Sequence, residues 1–124
     1  MADEASIVAM LTYLKGNMQQ PITKGGQQSI DVSSSLHVAA VMSALTTAGG
    51  TAIPMGKVTA PRVAYFANLD DTNYVQVLTA ASGTAFLKLN AGEWCIVFLD
   101  SGITAPAVLA NTLACDFEYV ILSV

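Results

Sequence analysis

The chain has 124 residues and a mass of 12.9 kDa, close to the commonest size of a single domain, and a chain of this length buries roughly two-thirds of its unfolded surface. Its net charge is −4, and its five basic residues are scattered at Lys15, Lys24, Lys57, Arg62 and Lys88, which leaves no Lys/Arg cluster to displace counterions from DNA or RNA. No apolar run reaches the ~20 residues of a membrane-spanning helix, and the acidic Met1-Ala-Asp-Glu-Ala start lacks the basic region of a signal peptide, so neither membrane insertion nor export is expected.

Charged residues make up only 11% of the chain, against ~25% in typical soluble domains. The apolar 53% owes much to nineteen alanines. A surface of Ala, Thr and Ser with so little charge suits a protein that covers itself by assembling with others.

In chain order, Ser6–Leu14 is ambiguous. Ile7, Met10, Leu11 and Leu14 are spaced as on a helix, whereas Ile7, Ala9, Leu11 and Tyr13 share one face of a strand. The turn-rich context favours the strand. Lys15–Gln28 reads as a connection, because Gly16, Pro21 and Gly25-Gly26 interrupt any regular element. A short strand follows over Ser29–Val32, then a break at Ser33-Ser34-Ser35. Leu36–Leu45 fits a helix or a strand equally. Thr51-Ala-Ile-Pro-Met-Gly is at best an edge strand, because Pro54 has no N–H for a ladder.

From residue 60 the alternation sharpens. Arg62–Asn68 is a strand with Val63, Tyr65 and Ala67 opposite Ala64 and Phe66, and Leu69-Asp-Asp-Thr-Asn is a turn whose side chains bond their own backbone. Tyr74–Thr79 returns, and Ala81-Ser-Gly-Thr closes a hairpin with Gly83 taking positive φ. Strands follow over Ala85–Leu89, Trp94–Leu99, Ala107–Ala110 and Cys115–Val124, with turns at Asn90–Glu93 and Asp100–Gly102. In the last strand Phe117, Tyr119 and Ile121 point one way, with Asp116 and Glu118 on the other face. Turn signals every 8–12 residues predict an all-β fold, an antiparallel, jelly-roll-like β-sandwich of about 8–10 short strands.

The residues that might carry chemistry do not assemble into a site. Asp70 and Asp71 are adjacent carboxylates near Asn73, but the stretch lacks the ligand spacing and terminal Glu of a calcium loop and reads as a solvated turn, as does Asp100. His37 is the sole histidine, too close along an extended chain to Ser33, Ser34 or Ser35 for a nucleophile–base contact. No glycine pattern suits a phosphate cradle. Arg62 and Glu93 are candidates for a rim salt bridge of little energetic weight. Cys95 and Cys115 form neither a disulfide framework nor a zinc motif. They read as two buried thiols, or as one bridge between neighbouring C-terminal strands. Trp94 alternates with Ile96 and Phe98 and is placed in the core, with a role as an exposed anchor for a sugar or a protein as the alternative. No catalytic, cofactor-binding or metal residue is assigned, and no cofactor or small-molecule substrate is expected.

Three segments carry a resemblance: Ala64-Tyr-Phe-Ala-Asn-Leu-Asp-Asp-Thr-Asn-Tyr-Val-Gln-Val77, Phe86-Leu-Lys-Leu-Asn-Ala-Gly-Glu93 and Asp116-Phe-Glu-Tyr-Val-Ile-Leu122. Together with Leu14-Lys-Gly-Asn17, they resemble small virion proteins of tailed bacteriophages. The resemblance implies a non-enzymatic cement or decoration protein on the outer capsid surface. Its expected partners are further copies of itself, as a trimer, and the major capsid protein. It would be made in the host cytoplasm and located on the virion. It also strengthens the strand reading of residues 6–14. A tail, connector or host-adhesion component is the first alternative, and a carbohydrate- or ligand-binding sandwich the second. One sandwich domain over 1–124 is expected, with residues 1–28 as an extended N-terminal arm that reaches a neighbouring subunit.

Overall fold

The computed structural model describes residues 4–13, 22–31 and 37–123. All the regular elements among them are strands: β1 (Glu4–Tyr13), β2 (Ile22–Asp31), β3 (His37–Ala44), β4 (Thr51–Ala52), β5 (Pro61–Asn68), β6 (Val75–Leu78), β7 (Ala85–Leu89), β8 (Trp94–Phe98), β9 (Ala107–Ala110) and β10 (Cys115–Ser123). The chain divides into two compact units, Met1–Ser33 and Ser34–Val124. The linking segments around Lys15–Asn17 and Ser33–Ser35, and the matched Leu14-Lys-Gly-Asn17, lie outside the described residues.

The first unit holds one antiparallel pair, β1 with β2, in continuous register from Glu4↔Asp31 to Tyr13↔Ile22. Residues 6–13 are thus a strand, as the turn-rich context favours. The expected connection over Lys15–Gln28 is corrected over its second half, because β2 runs through Gly25 and Gly26, which pair with Met10 and Ala9. Glycine is needed there for room and for backbone angle. A Cβ on Gly25 would collide with the Ala9 carbonyl, and the two residues have φ of 122° and 140°. Glycine inside a strand marks such a close backbone approach as often as it marks a break.

The second unit is an antiparallel β-sandwich of two four-stranded sheets, β3-β10-β5-β8 (sheet I) and β4-β9-β6-β7 (sheet II). Leu36–Leu45, open between helix and strand in the sequence, is strand from His37 to Ala44, and β4 is an edge strand. The inner faces meet in one core. Phe66, Phe117, Tyr119 and Ile121 come from sheet I, and Val75, Val77, Leu89 and Val108 from sheet II. Phe66 and Phe117 stack with ring centroids 5.6 Å apart. The alternation read for β5 and β10 holds, since Phe117, Tyr119 and Ile121 are buried and Asp116 is exposed.

One buried polar side chain ties the β5–β6 loop to the core edge. Asn68, 1% exposed, donates through Nδ2 to the Asn73 carbonyl (2.8 Å) and the Leu89 carbonyl (3.1 Å) and accepts through Oδ1 from the Asp70 N–H (3.0 Å). Every bond is local to the turn or to β7, so the loop is set from inside.

The β6–β7 turn differs from expectation at one residue. Ser82, not Gly83, takes positive φ (61°). Gly83 is required for space instead, because a Cβ there would sit 2.6 Å from Thr79 Oγ1 and 2.9 Å from the Ala80 backbone nitrogen. The turn closes through Gly83 N–H to the Ala80 carbonyl (2.8 Å).

Phe117→Ala should lower the unfolding free energy by about 3–5 kcal/mol through lost transfer energy and cavity formation, and Asn68→Ala by about 1–3 kcal/mol through stranded carbonyls. Urea unfolding followed by circular dichroism measures both.

Candidate functional site

The register of sheet I decides what the sandwich shows to its surroundings. Across the sheet, Val41 stands beside Glu118, Ala67 and Trp94. The next outward row is Ala39, Val120, Tyr65 and Ile96, and the third is His37, Leu122, Val63 and Phe98. The outward side of these three rows is therefore almost wholly apolar, with Glu118 and His37 as its polar members. Trp94 is 59% exposed, Val41 55% and Phe98 43%. Leu69 extends the apolar surface past the end of β5, where its N–H donates to the Asp116 carbonyl (2.9 Å).

This overturns the core placement of Trp94. Trp94, Ile96 and Phe98 do share a face, but it is the outer one, and Cys95 and Val97 turn towards the core. The cause is pairing. Ala67↔Trp94, Tyr65↔Ile96 and Val63↔Phe98 align β8's large residues with the outward set of β5, while Phe66, paired with Cys95, already fills the inner side with Phe117. Alternation groups side chains by face, and a one-residue change of register would exchange the two groups.

Spanning four strands at ~4.8 Å and three rows at ~6.8 Å, the face covers on the order of 400 Å². A patch of that size matches the largest found on a typical monomer, and such patches are often functional. The outward side of sheet II offers a contrast. Gln76 is paired with Lys88, and the Lys88 ammonium lies 4.0 Å from the Tyr74 ring centroid. Leu109 stands beside Gln76 in the same row, and Phe86 of β7 is 38% exposed, so this side mixes polar and apolar groups.

Within the sheet I face, Tyr65 and Trp94 lie edge-tilted with centroids 6.0 Å apart. Burial first, and the adjoining Glu118 carboxylate second, push the Tyr65 hydroxyl above its ordinary range. It therefore stays protonated as a donor towards Glu118, the one carboxylate among the apolar rows.

The remaining candidate residues disperse. Arg62 and Glu93 do not pair, because Arg62 is near the start of β5 while Glu93, just before β8, lies beside its far end at Asn68. Arg62 Nη1 donates to the Leu99 carbonyl (2.7 Å) with its guanidinium 5.5 Å from the Phe98 ring centroid. Glu93 Oε2 instead accepts from the Asn90 N–H (2.8 Å), and its carbonyl accepts from Asn68 N–H. Asp70 Oδ2 accepts from the N–H groups of Thr72 (3.0 Å) and Asn73 (2.5 Å), and Asp100 Oδ1 from Gly102 N–H (2.8 Å). Both are turns that close on themselves. Among the described residues, no three or more of His, Cys, Asp and Glu gather where they could hold a metal ion.

Cys95 and Cys115 are both free thiols. They lie on β8 and β10, with β5 between them. Two strand spacings put them roughly 9–10 Å apart at least, beyond the ~7 Å Cα limit for a bridge. Burial raises both thiols above their ordinary range.

Comparison with protein-family models, curated proteins and solved structures gave no match.

Trp94→Ser should change the unfolding free energy by less than ~1 kcal/mol, as for a surface side chain, where a core tryptophan would cost several times more; chemical denaturation separates the two. Hydrogen bonds from Asn73 and Thr72 hold the Asp70 carboxyl below its usual range. A carboxylate lowered in the folded state contributes stability above its unfolded pKa and loses it as pH falls through the folded one. Asp70→Asn should therefore flatten the acid limb of the stability curve below about pH 4, measured by urea unfolding at stepped pH.

Proposed function

We propose that this protein is a non-enzymatic virion component, a cement or decoration protein that binds the outer surface of a tailed-bacteriophage head and stabilises it. The observation that carries the reading is the outer face of sheet I, where three adjoining rows of side chains from four strands hold a single carboxylate. A face of this kind is costly to leave in water, and its apolar chemistry favours a second protein surface over a small polar molecule.

Two further features support it. The sheet orders β3-β10-β5-β8 and β4-β9-β6-β7, with every successive strand from β3 onward changing sheet except β6 to β7, support reading the sandwich as a jelly roll, an architecture used by viral capsid and lectin domains. The Asn-Leu-Asp-Asp-Thr-Asn motif that carries the resemblance to phage virion proteins is the loop organised by Asn68 and Asp70, and its Leu69 adjoins the apolar face. Partners under this reading are the major capsid protein and further copies of the chain, a trimer in the simplest form. Each contact is modest, and repetition over the lattice supplies the grip.

The exposed Trp94–Tyr65 pair favours a second reading, a carbohydrate-binding sandwich. The scarcity of hydrogen-bonding side chains around it weighs against this.

Heads of the encoding phage, prepared without the protein and then incubated with it, should bind hundreds of copies and resist heat better. Trp94→Asp and Val41→Asp should each lower occupancy at least tenfold while leaving circular dichroism unchanged. A stoichiometry of three, six or twelve per particle would point instead to a tail or connector part. Binding on a glycan array with no binding to heads would establish the carbohydrate reading in its place.

A further inference from the structure

A carboxylate interrupts the apolar outer face of sheet I. In the first row Glu118 stands between Val41 and Ala67, and Trp94 lies beyond Ala67. Glu118 is half-buried, and its neighbours in the next row, Ala39 and Tyr65, carry no positive charge. The Tyr65 hydroxyl bonds to its carboxylate. One such bond uses a fraction of the acceptor capacity of a carboxylate, which offers about four lone-pair sites. Two of the sandwich's own cations are committed elsewhere. Arg62 bonds the Leu99 carbonyl and lies over Phe98 in the third row, and Lys88 lies over Tyr74 on sheet II. Two residues before Glu118, on the same side of β10, the exposed Asp116 adds a second negative charge. This end of the face is therefore acidic as well as apolar.

An aromatic pair stands at the same end. Trp94 is 59% exposed, with its ring centroid 6.0 Å from that of Tyr65 and the planes inclined at 36°. An indole attracts cations to the negative face of its π system. Ala67, between Glu118 and Trp94, has only a methyl group to raise above the sheet. The two larger side chains thus flank one spot, from strands two spacings or ~9.6 Å apart. A guanidinium fits that span. It bonds a carboxylate oxygen at ~2.8 Å and interacts with a ring whose centroid is within ~6 Å.

We propose that the partner of this face is a protein segment that presents an arginine among apolar side chains, the guanidinium pairing with Glu118 and stacking on Trp94. Charge complementarity selects the cation. The surrounding Val41, Val120 and Ile96 select apolar cover, which a free cation does not bring. Arginine suits the spot better than lysine, because its group is planar, weakly hydrated and able to bond a carboxylate through two N–H groups while it stacks. A charge pair set among apolar groups loses most when one partner is removed, so Glu118 is the residue to change. The inference rests on the docking role proposed above and adds the chemistry of what docks.

Trp94 is the only tryptophan in the chain, and its fluorescence reads the spot directly. Titrating the purified full chain with N-acetyl-argininamide at constant ionic strength should change that emission, with half the effect at ~1–10 mM. The citrulline analogue, alike in shape but uncharged, should bind at least tenfold more weakly, and N-acetyl-lysinamide at least threefold. Glu118→Gln should weaken the arginine response at least fivefold. Asp71→Asn, an equal loss of charge in the solvated turn, should weaken it less than twofold. Circular dichroism of both variants should match the parent. No response up to about 50 mM, an equal response to the citrulline analogue, or an unchanged response in Glu118→Gln overturns the inference. Heads that bind the protein while its tryptophan ignores arginine would remove this inference and leave the particle role. The arginine response intact with no binding to heads would uphold the inference and count against the particle role alone.

Discussion

The rest of the sandwich depends on the register that β5 keeps with both of its neighbours. On one side Phe66 meets Tyr119, on the other Cys95, and the stacked Phe66–Phe117 pair fills the space between the sheets. Once that inner space is taken, every second residue of β10, β5 and β8 is committed to the outside. Side chains in a strand alternate with a period of two. The apolar outer face is therefore a consequence of how the core is closed, since moving Trp94 inwards would turn Cys95 and Val97 outwards and shift the whole strand.

That coupling gives the low charge content a location. A chain with 11% charged residues must expose apolar side chains somewhere, and scattered singly they would carry no meaning. Within the sandwich, Val41, Trp94 and Phe98 gather on the outward side of sheet I, while others such as Phe86 and Leu113 are exposed elsewhere. Glu118 and His37 are the polar members of the three outward rows of sheet I. Tyr65, the neighbour of Glu118, has its hydroxyl raised above the ordinary range by burial first and by that carboxylate second.

Glycine and asparagine act here through contact more than through flexibility. Gly25 lets the Ala9 carbonyl approach, Gly83 makes room for Thr79, and Asn68 holds a loop through three hydrogen bonds from a buried position. Read along the sequence, Gly25-Gly26 resembles an interruption and Gly83 a residue chosen for its backbone angle. Both readings treat glycine as local, whereas the partner that demands it at Gly25 stands on the facing strand. The two strands of the N-terminal unit meet through that missing side chain.

Much of this architecture was legible in the sequence. The turns at Leu69–Asn73, Asn90–Glu93 and Asp100–Gly102 rest on side chains that bond backbone within three residues, so their positions follow from local chemistry, and with them the strands between and the all-β class. Alternation likewise revealed which residues travel together: Phe117 with Tyr119 and Ile121, Trp94 with Ile96 and Phe98. Which of those groups faces the core was decided only in three dimensions, because alternation has no preferred side and the choice for β8 is made by its pairing with β5. The candidate face, built from four strands that are distant in the chain, exists only once they are laid side by side.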